Sequence, residues 1–386
     1  MPLLIFLTPN SVEVHSTVKK PTQAATADDA AAELPSLIPD LGNIAEALEC
    51  QKLIRSIETG QFFQERAKFF PPNDSVDRCL IENLVYNARK LKNADWKQER
   101  AYSLLGRALF VSFLEAREFI KPDYYPAGTK CLTDILARPT VAEAKHLLYQ
   151  EFFTKLQHEF NGTMFDASLA AEERDIKKVH LDILADFLNA ADMKTGDLTL
   201  DFWAYDFRYI PVETISAIYE EFLKETDLDK KRRDGAFYTP RHLAETTLHI
   251  ALENRYEKTA DWKALDPAMG SGIFLVAMFN LLAEQWLRKN PDTHRQTKTQ
   301  ALLKILQTQI CGVDVNPVAC RIAAFSLYLA LFEKLQPTDV DEFKKHVRAE
   351  HFLPPLLWEK DGEQPEMPVV LSGNFLEDKL PLKKRF

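Results

Sequence analysis

Residues 265–282, LDPAMGSGIFLVAMFNLL, constrain this chain more than any other stretch. A short apolar run ends in Asp266-Pro267, and Gly270-Ser271-Gly272 then leads directly into an apolar helix. Glycines suit such a turn because any Cβ would hold a ligand off the backbone, and the helix that follows offers unpaired N–H groups. A plain strand–helix turn with no ligand uses the same residues, so the motif alone leaves both readings open. Residues 311–331, CGVDVNPVACRIAAFSLYLAL, repeat the plan: a strand ends at Asp314, and Asn316-Pro317 opens a buried helix. Strand-like runs at Trp262–Pro267, Gln309–Val315 and Val369–Phe375 alternate with helical text at 273–288 and 317–335. That alternation is the pattern of a parallel sheet with crossover helices, in which ligands bind outside the carboxyl ends of the strands. The glycines at 270, 272, 312 and 373 are read as lying at strand ends. An acidic residue closing the second strand, as Asp314 does, can accept both ribose hydroxyls of a nucleoside cofactor; a solvated loop-end aspartate is the alternative. Its separation from Gly270 exceeds the about 20 residues of the dinucleotide fingerprint. The polar insertion KNPDTHRQTKTQ (289–300) and a second short helix account for the excess.

The rest of the chain has a different texture. Two β-like runs, Leu3–Leu7 and Val12–His15, flank a Pro9-Asn10-Ser11 turn, and PTQAATADDAAAELP (21–35) reads as a linker. From Leu41 to Leu223 apolar residues recur three and four apart, as in RAYSLLGRALFVSFLEAREFI and TVAEAKHLLYQEFFTKLQHEF, which predicts helices. The expected architecture is therefore an α region followed by an α/β region. A short β element and linker span 1–35, a helical domain 36–226, and an incomplete Rossmann-like half with parallel strands 227–386. Only 12 glycines, with 46% hydrophobic and 27% charged residues, agree with a helix-rich globular chain. Lys plus Arg is 48 against 57 acidic residues, a net charge of −9, which argues against a protein that coats nucleic acid without specificity and leaves room for a local basic face. The 5 cysteines form no CxxC pair, which fits buried reduced thiols in a cytoplasmic protein and gives no metal site or disulfide frame. The start MPLLIFLTPN lacks the basic residues of a signal peptide. The longest apolar run, Ile322–Phe332, falls well short of the about 20 residues that span a bilayer, so no membrane association is expected.

GAFYTP (235–240) precedes the helix RHLAETTLHIALEN, and LSGNFLED (371–378) closes the third strand. YTP, DPAMGSGIFL, GVDVNPVA and SGNFLED, in this order, resemble the cofactor-binding motifs of adenine-specific (N6) DNA methyltransferases of the type I and fused type IIG restriction-modification kind. LLGRALFVSFLEAREFI (104–120) and residues 202–223 also resemble the helical region that leads into such methylases, so the resemblance covers roughly residues 100–386. It implies S-adenosylmethionine as cofactor and double-stranded DNA, with its target adenine flipped out, as substrate. Carried over onto this chain, Phe237, Tyr238, Thr239 and Pro240 would pack against the methionine end of the cofactor. Asp266, Ala268, Gly270 and Gly272 would form the floor beneath it, Asp314 would hold the ribose hydroxyls, and Pro267, Ser271 and Asn316 are further cofactor-binding candidates. Asn374, with Phe375, would meet the adenine ring at a place where the family usually has a carboxylate; an amide can still donate or accept a hydrogen bond there.

The family's catalytic (Asn/Asp/Ser)-Pro-Pro-(Tyr/Phe/Trp) loop has no counterpart here. Pro71-Pro72 follows Phe70 and Pro354-Pro355 follows Leu353, and both precede the place after LSGNF where the loop belongs. No catalytic residue is therefore assigned within the chain, and a complementary chain carrying the missing half is the expected partner. The sheet's half-open edge along Trp262–Pro267 would be a liability for association. Two other readings stay open: a non-catalytic, DNA-associated interaction subunit or remnant, and a methyltransferase acting on another planar nitrogen or on RNA. A nuclease of the PD…(D/E)xK type is a weaker one, because Glu143 and Lys145 lie in helical text whereas that motif needs a strand. Lys230-Lys231-Arg232-Arg233 could touch phosphates, but Asp227, Asp229 and Asp234 flank them and favour a solvated connector. Ser271 is no hydrolase nucleophile, since Met269 stands where G-x-S-x-G needs glycine. The chain on its own is expected not to methylate DNA; labelled methyl transferred to DNA by the pure chain would refute this.

Overall fold

The computed structural model describes residues 3–7, 12–16, 52–53, 55–57, 61–65, 76–160, 169–189, 207, 239, 241–252, 262–346, 352–359, 365–376 and 380–384. Contacts divide the chain into a unit at 1–82 and a unit at 83–386. In the first, β1 (Leu3–Leu7) and β2 (Val12–Ser16) pair antiparallel with Ile5 opposite Val14, as the two β-like runs predict, and a short helix α1 spans Gln61–Glu65. The linker at 21–35 lies outside the described residues.

The second unit begins within α2 (Val76–Asn93) and continues through α3 (Gln98–Ala116), α4 (Leu132–Leu136) and α5 (Val141–Lys145). A π-helix follows at His146–Phe153, then α6 (Thr154–Phe160), α7 (Leu169–Asp175) and α8 (Lys178–Leu188). The sequence predicts one α-helix from 140 to 160. The π-helical turns inside it carry the adjacent pairs Leu147-Leu148 and Phe152-Phe153, with Tyr149, all buried. Charge is buried here too: Arg107 donates to Glu172 with both side chains inaccessible, and Tyr149 Oη donates to the same carboxylate at 3.4 Å. Glu143 and Lys145 sit on α5, where Lys145 Nζ donates to the Glu173 carbonyl at 2.9 Å, and Pro122-Asp123 lies in a 3-10 turn. The nuclease motif therefore lacks the strand it needs.

After α9 (Arg241–Leu252) comes the sheet. Its strands are β3 (Ala264–Asp266), β4 (Ile310–Asp314), β5 (Leu357–Trp358) and β6 (Val370–Ser372), ordered β3-β4-β6-β5, and every pairing is parallel. The connections are α10 (Ile273–Lys289) with α11 (Arg295–Thr308), and α12 (Pro317–Lys334) with α13 (Pro337–His346). The expected α plus Rossmann-like α/β class is thus present, with two differences. The edge strand β5 has no strand-like run in the sequence; it forms because the Leu356 carbonyl accepts the N–H groups of Val369 and Val370 at 2.8 and 3.0 Å. Gly312, expected at a strand end, lies inside β4, where an added Cβ would come within 2.3 Å of Met269 Sδ. Among the described residues no helix is long and apolar enough to cross a membrane.

The core centres on α12. From Ala319 to Phe332 every side chain except Arg321 is buried. A helix that is apolar on all sides must be covered on all sides. Phe110 of α3 meets Phe325 edge-on at 5.8 Å between ring centroids, and Phe119 meets Phe332 at 4.7 Å, so the helical region packs directly on the helix that serves the sheet. On one face of the sheet Cys311, Val313 and Leu371 form a buried cluster against which Trp358, Leu380 and Leu382 pack. Phe332→Ala should lower unfolding stability by about 3–5 kcal/mol, whereas Phe375→Ala, more than a third exposed, should cost under about 0.5 kcal/mol; urea midpoints of the two variants test the contrast.

Candidate cofactor-binding site

Three neighbouring strands bring polar residues to one edge of the sheet. β3 ends at Asp266, β4 at Asp314, and β6 runs out through Gly373 to Asn374. The Gly373 N–H donates to the Asp314 carbonyl at 2.9 Å, and the Met269 N–H donates to the Val313 carbonyl at 3.0 Å. The strand-end loops are thereby held in register with β4.

The turn between β3 and α10 is the tightest part of the site. Gly270 has φ +57° and Gly272 φ +83°, left-handed values that favour glycine. Gly272 also touches α12: a Cβ there would come within 2.8 Å of Ala323 Cβ. The glycine at 272 thus answers to packing as well as to backbone conformation. The Gly272 N–H donates to the Met269 carbonyl at 2.9 Å, and α10 starts at the next residue.

Asp314 ties the two crossover loops together. Its Oδ2 accepts the Gly270 N–H at 2.9 Å and its Oδ1 accepts the Asn316 N–H at 2.8 Å. A carboxylate offers about four lone-pair positions, so these two bonds orient it and leave each oxygen a further acceptor position. That is the acceptor geometry a vicinal diol needs. Asp266 is held less fully: Oδ1 accepts the Ala268 N–H at 3.1 Å. Burial raises its pKa above the usual carboxylate range, the Ala268 N–H opposes this, and the charge of Asp314 adds to it. Asn374 Oδ1 accepts the Leu376 N–H at 3.0 Å. Beneath the loops, the Cys320 thiol points at the carbonyls of Asp314 and Leu371, at 3.5 and 3.7 Å. Burial and the nearby Asp314 push it up to about 12, so it stays a protonated thiol, in line with the reading of buried reduced cysteines.

Asp266 and Asp314, the last residues of β3 and β4, and Pro267, Ala268, Gly270, Ser271, Gly272, Asn316, Asn374 and Phe375, in the loops that follow β3, β4 and β6, therefore all lie at the carboxyl edge of the sheet. Thr239 is exposed just before α9. Phe237, Tyr238 and Pro240 lie outside the described residues, as do Lys230, Lys231, Arg232 and Arg233. Two apolar residues were not singled out by the motifs: Val315, 68% exposed after Asp314, and Leu376, 88% exposed after Phe375. Leu353-Pro354-Pro355 lies away from these loops in role, with the Pro354 carbonyl accepting the Tyr328 hydroxyl at 2.8 Å. Among the described residues no group of three His, Cys, Asp or Glu side chains could hold a metal ion.

Comparison with known proteins agrees with the motif reading over part of the chain. Residues 212–343 match the family model of N-6 DNA methylase, a span that contains YTP, DPAMGSGIFL and GVDVNPVA. A putative type II restriction enzyme and methyltransferase of Methanocaldococcus jannaschii is 22% identical over 363 residues, covering 77% of this chain and 30% of that protein. The chain thus spans about a third of the length of this curated relative. Among solved structures, a DrdV–DNA complex aligns at 17% identity and TM-score 0.39, over 86% of this chain and 29% of that one. The M protein of the type I restriction enzyme EcoKI aligns at 15% identity and TM-score 0.20, over 65% and 40%.

The raised pKa of Asp266 has a consequence for stability. At pH values below the ordinary carboxylate pKa the folded and unfolded chains both carry the proton. As pH rises through the raised native value the fold must hold a charge it disfavours, and stability falls across that window. Asp266→Asn should therefore melt higher than the natural chain at about pH 7, with the gap closing towards about pH 3. Equal gaps at both pH values would rule out the burial argument.

Proposed function

We propose that this chain carries the S-adenosylmethionine-binding part of a DNA adenine-N6 methyltransferase of a restriction-modification or phage-defence system. The observation that supports it most is the Asp314 carboxylate, fixed by the Gly270 and Asn316 amides with acceptor positions left on both oxygens. In this reading Asp314 accepts the two ribose hydroxyls, and the turn from Asp266 to Gly272 forms the floor beneath the methionine moiety. The Asn374 amide meets the adenine edge, and Val315 and Phe375 offer apolar surface for its faces. By the motif resemblance, Phe237, Tyr238, Thr239 and Pro240 are assigned to the methionine end. The cofactor, when bound, supplies an activated methyl group. The residues of this chain bind and orient it, and the groups that accept the target adenine are assigned to a segment bearing an Asn/Asp-Pro-Pro-aromatic loop.

A second reading rests on a separate observation. Among the described residues β3 pairs only with β4, and Leu265 on it is 37% exposed. An open strand edge with an apolar side chain is a template for another strand. A chain that completes the sheet there would make this one a DNA-associated subunit of a split methyltransferase.

Calorimetric titration with S-adenosylmethionine tests the first reading. The folded chain should bind at micromolar strength, and Asp314→Ala should weaken binding about tenfold or more, since it removes hydrogen bonds to a charged acceptor. A folded sample that gives no binding heat, or binds equally well without the Asp314 carboxylate, would reject the reading.

A further inference from the structure

The opposite end of the same strands holds a second cleft. It has a volume of about 520 Å³ and lies between α10 and α11, where the residues leading into β3 and β4 close one side. Leu282, Gln285, Trp286 and Lys289 face it from α10, and Ala301, Lys304, Ile305 and Thr308 face it from α11. Each set has the spacing i, i+3, i+4, i+7, so each is a single helical stripe. Trp262 and Lys263, just before β3, and Gln309, just before β4, complete the lining.

The chemistry of that lining is selective. Leu282 and Ile305 are buried and form an apolar floor; Trp262 and Trp286 are half-buried and add two indoles; Lys263, Lys289 and Lys304 are exposed. Among the described residues three lysines and no carboxylate line the cleft, in a chain whose net charge is −9. Glu284, on another face of α10, is paired with Lys334 at 3.0 Å. The volume lies within the roughly 300–1,000 Å³ typical of small-ligand pockets. Indole surfaces stack on any nucleobase, and ammonium groups are point-charge partners for phosphate. An aliphatic anion would leave the indoles unused, and a neutral aromatic would leave the lysines unused.

We propose that this cleft binds a nucleoside phosphate, its base against Trp262 and Trp286 and its phosphate among Lys263, Lys289 and Lys304. The site is separate from the Asp314 loops, which lie at the other end of β3 and β4. The same chemistry is presented by a free nucleotide and by the phosphorylated end of a single DNA strand.

The test uses AMP as probe, titrated calorimetrically into the full chain, with adenosine as the phosphate-free control. AMP should bind saturably, at least about tenfold more tightly than adenosine. Lys304→Glu, at an exposed position, should weaken AMP about tenfold or more, and Lys304→Arg should restore most of the loss. Excess S-adenosylmethionine should not displace it. A 5′-phosphorylated single-stranded oligonucleotide that binds at least as well as AMP identifies a strand end as the source; binding of AMP alone identifies a free nucleotide. The proposal is overturned by no saturable binding at millimolar AMP, by affinity indifferent to Lys304→Glu, or by displacement with S-adenosylmethionine.

Discussion

Burial of α12 from Ala319 to Phe332, Arg321 excepted, is the constraint from which the carboxyl edge of the sheet takes its shape. The helix meets aromatic rings of the helical region through Phe325 and Phe332, and it meets the sheet through Cys320, whose thiol reaches carbonyls of both β4 and β6. It meets the glycine turn through Ala323. Each fully buried large apolar side chain contributes about 1.5–3 kcal/mol, so this one helix gathers much of the cohesion of the unit. The helical region is therefore a cover without which α12, and with it the loops at Gly270 and Asp314, would have no fixed seat.

Two carboxylates stand at adjacent strand ends with different support. Asp314 has a backbone N–H on each oxygen, one from the β3–α10 turn and one from its own loop, so its orientation is set. Asp266 has one such bond, and burial acts against its charge. A position that weakens the fold when ionised, yet lies on the floor of the proposed site, fits the general tension between stability and binding. Fixing Asp314 by main-chain donors also makes its placement depend on backbone path and not on the identity of neighbouring side chains.

How far the sequence foretold this can be followed residue by residue. The strands β3, β4 and β6 fall within the runs Trp262–Pro267, Gln309–Val315 and Val369–Phe375, because a parallel strand buried on both faces reads as a short apolar run bounded by turn residues. The hairpin of β1 and β2 was legible from its Pro-Asn-Ser turn. β5 was not, since a two-residue strand after Pro354-Pro355 has no periodicity, and it exists only through long-range pairing with β6. Gly312 was placed at a strand end because glycine usually punctuates; its actual role, making room for Met269 and Leu275, depends on a contact between elements that no local pattern carries. The π-helical stretch at His146–Phe153 failed for the same reason, its apolar spacing being indistinguishable from that of an α-helix. The polar residues of the candidate site stand in the sequence in motif order, whereas Val315 and Leu376, exposed beside them, are ordinary residue types that no motif marks.

The approach of Gly272 to Ala323 couples two positions 51 residues apart into one unit of permissible change. A Cβ at 272 would lie 2.8 Å from Ala323 Cβ, and relieving that contact by Ala323→Gly would place glycine within a helix, at a cost of about 1 kcal/mol, while leaving the left-handed strain at 272 in place. Because φ at 272 is +83°, any other residue there is strained whatever the space, so the burden falls on position 323: it has to stay as small as alanine for the glycine turn to keep its seat against α12.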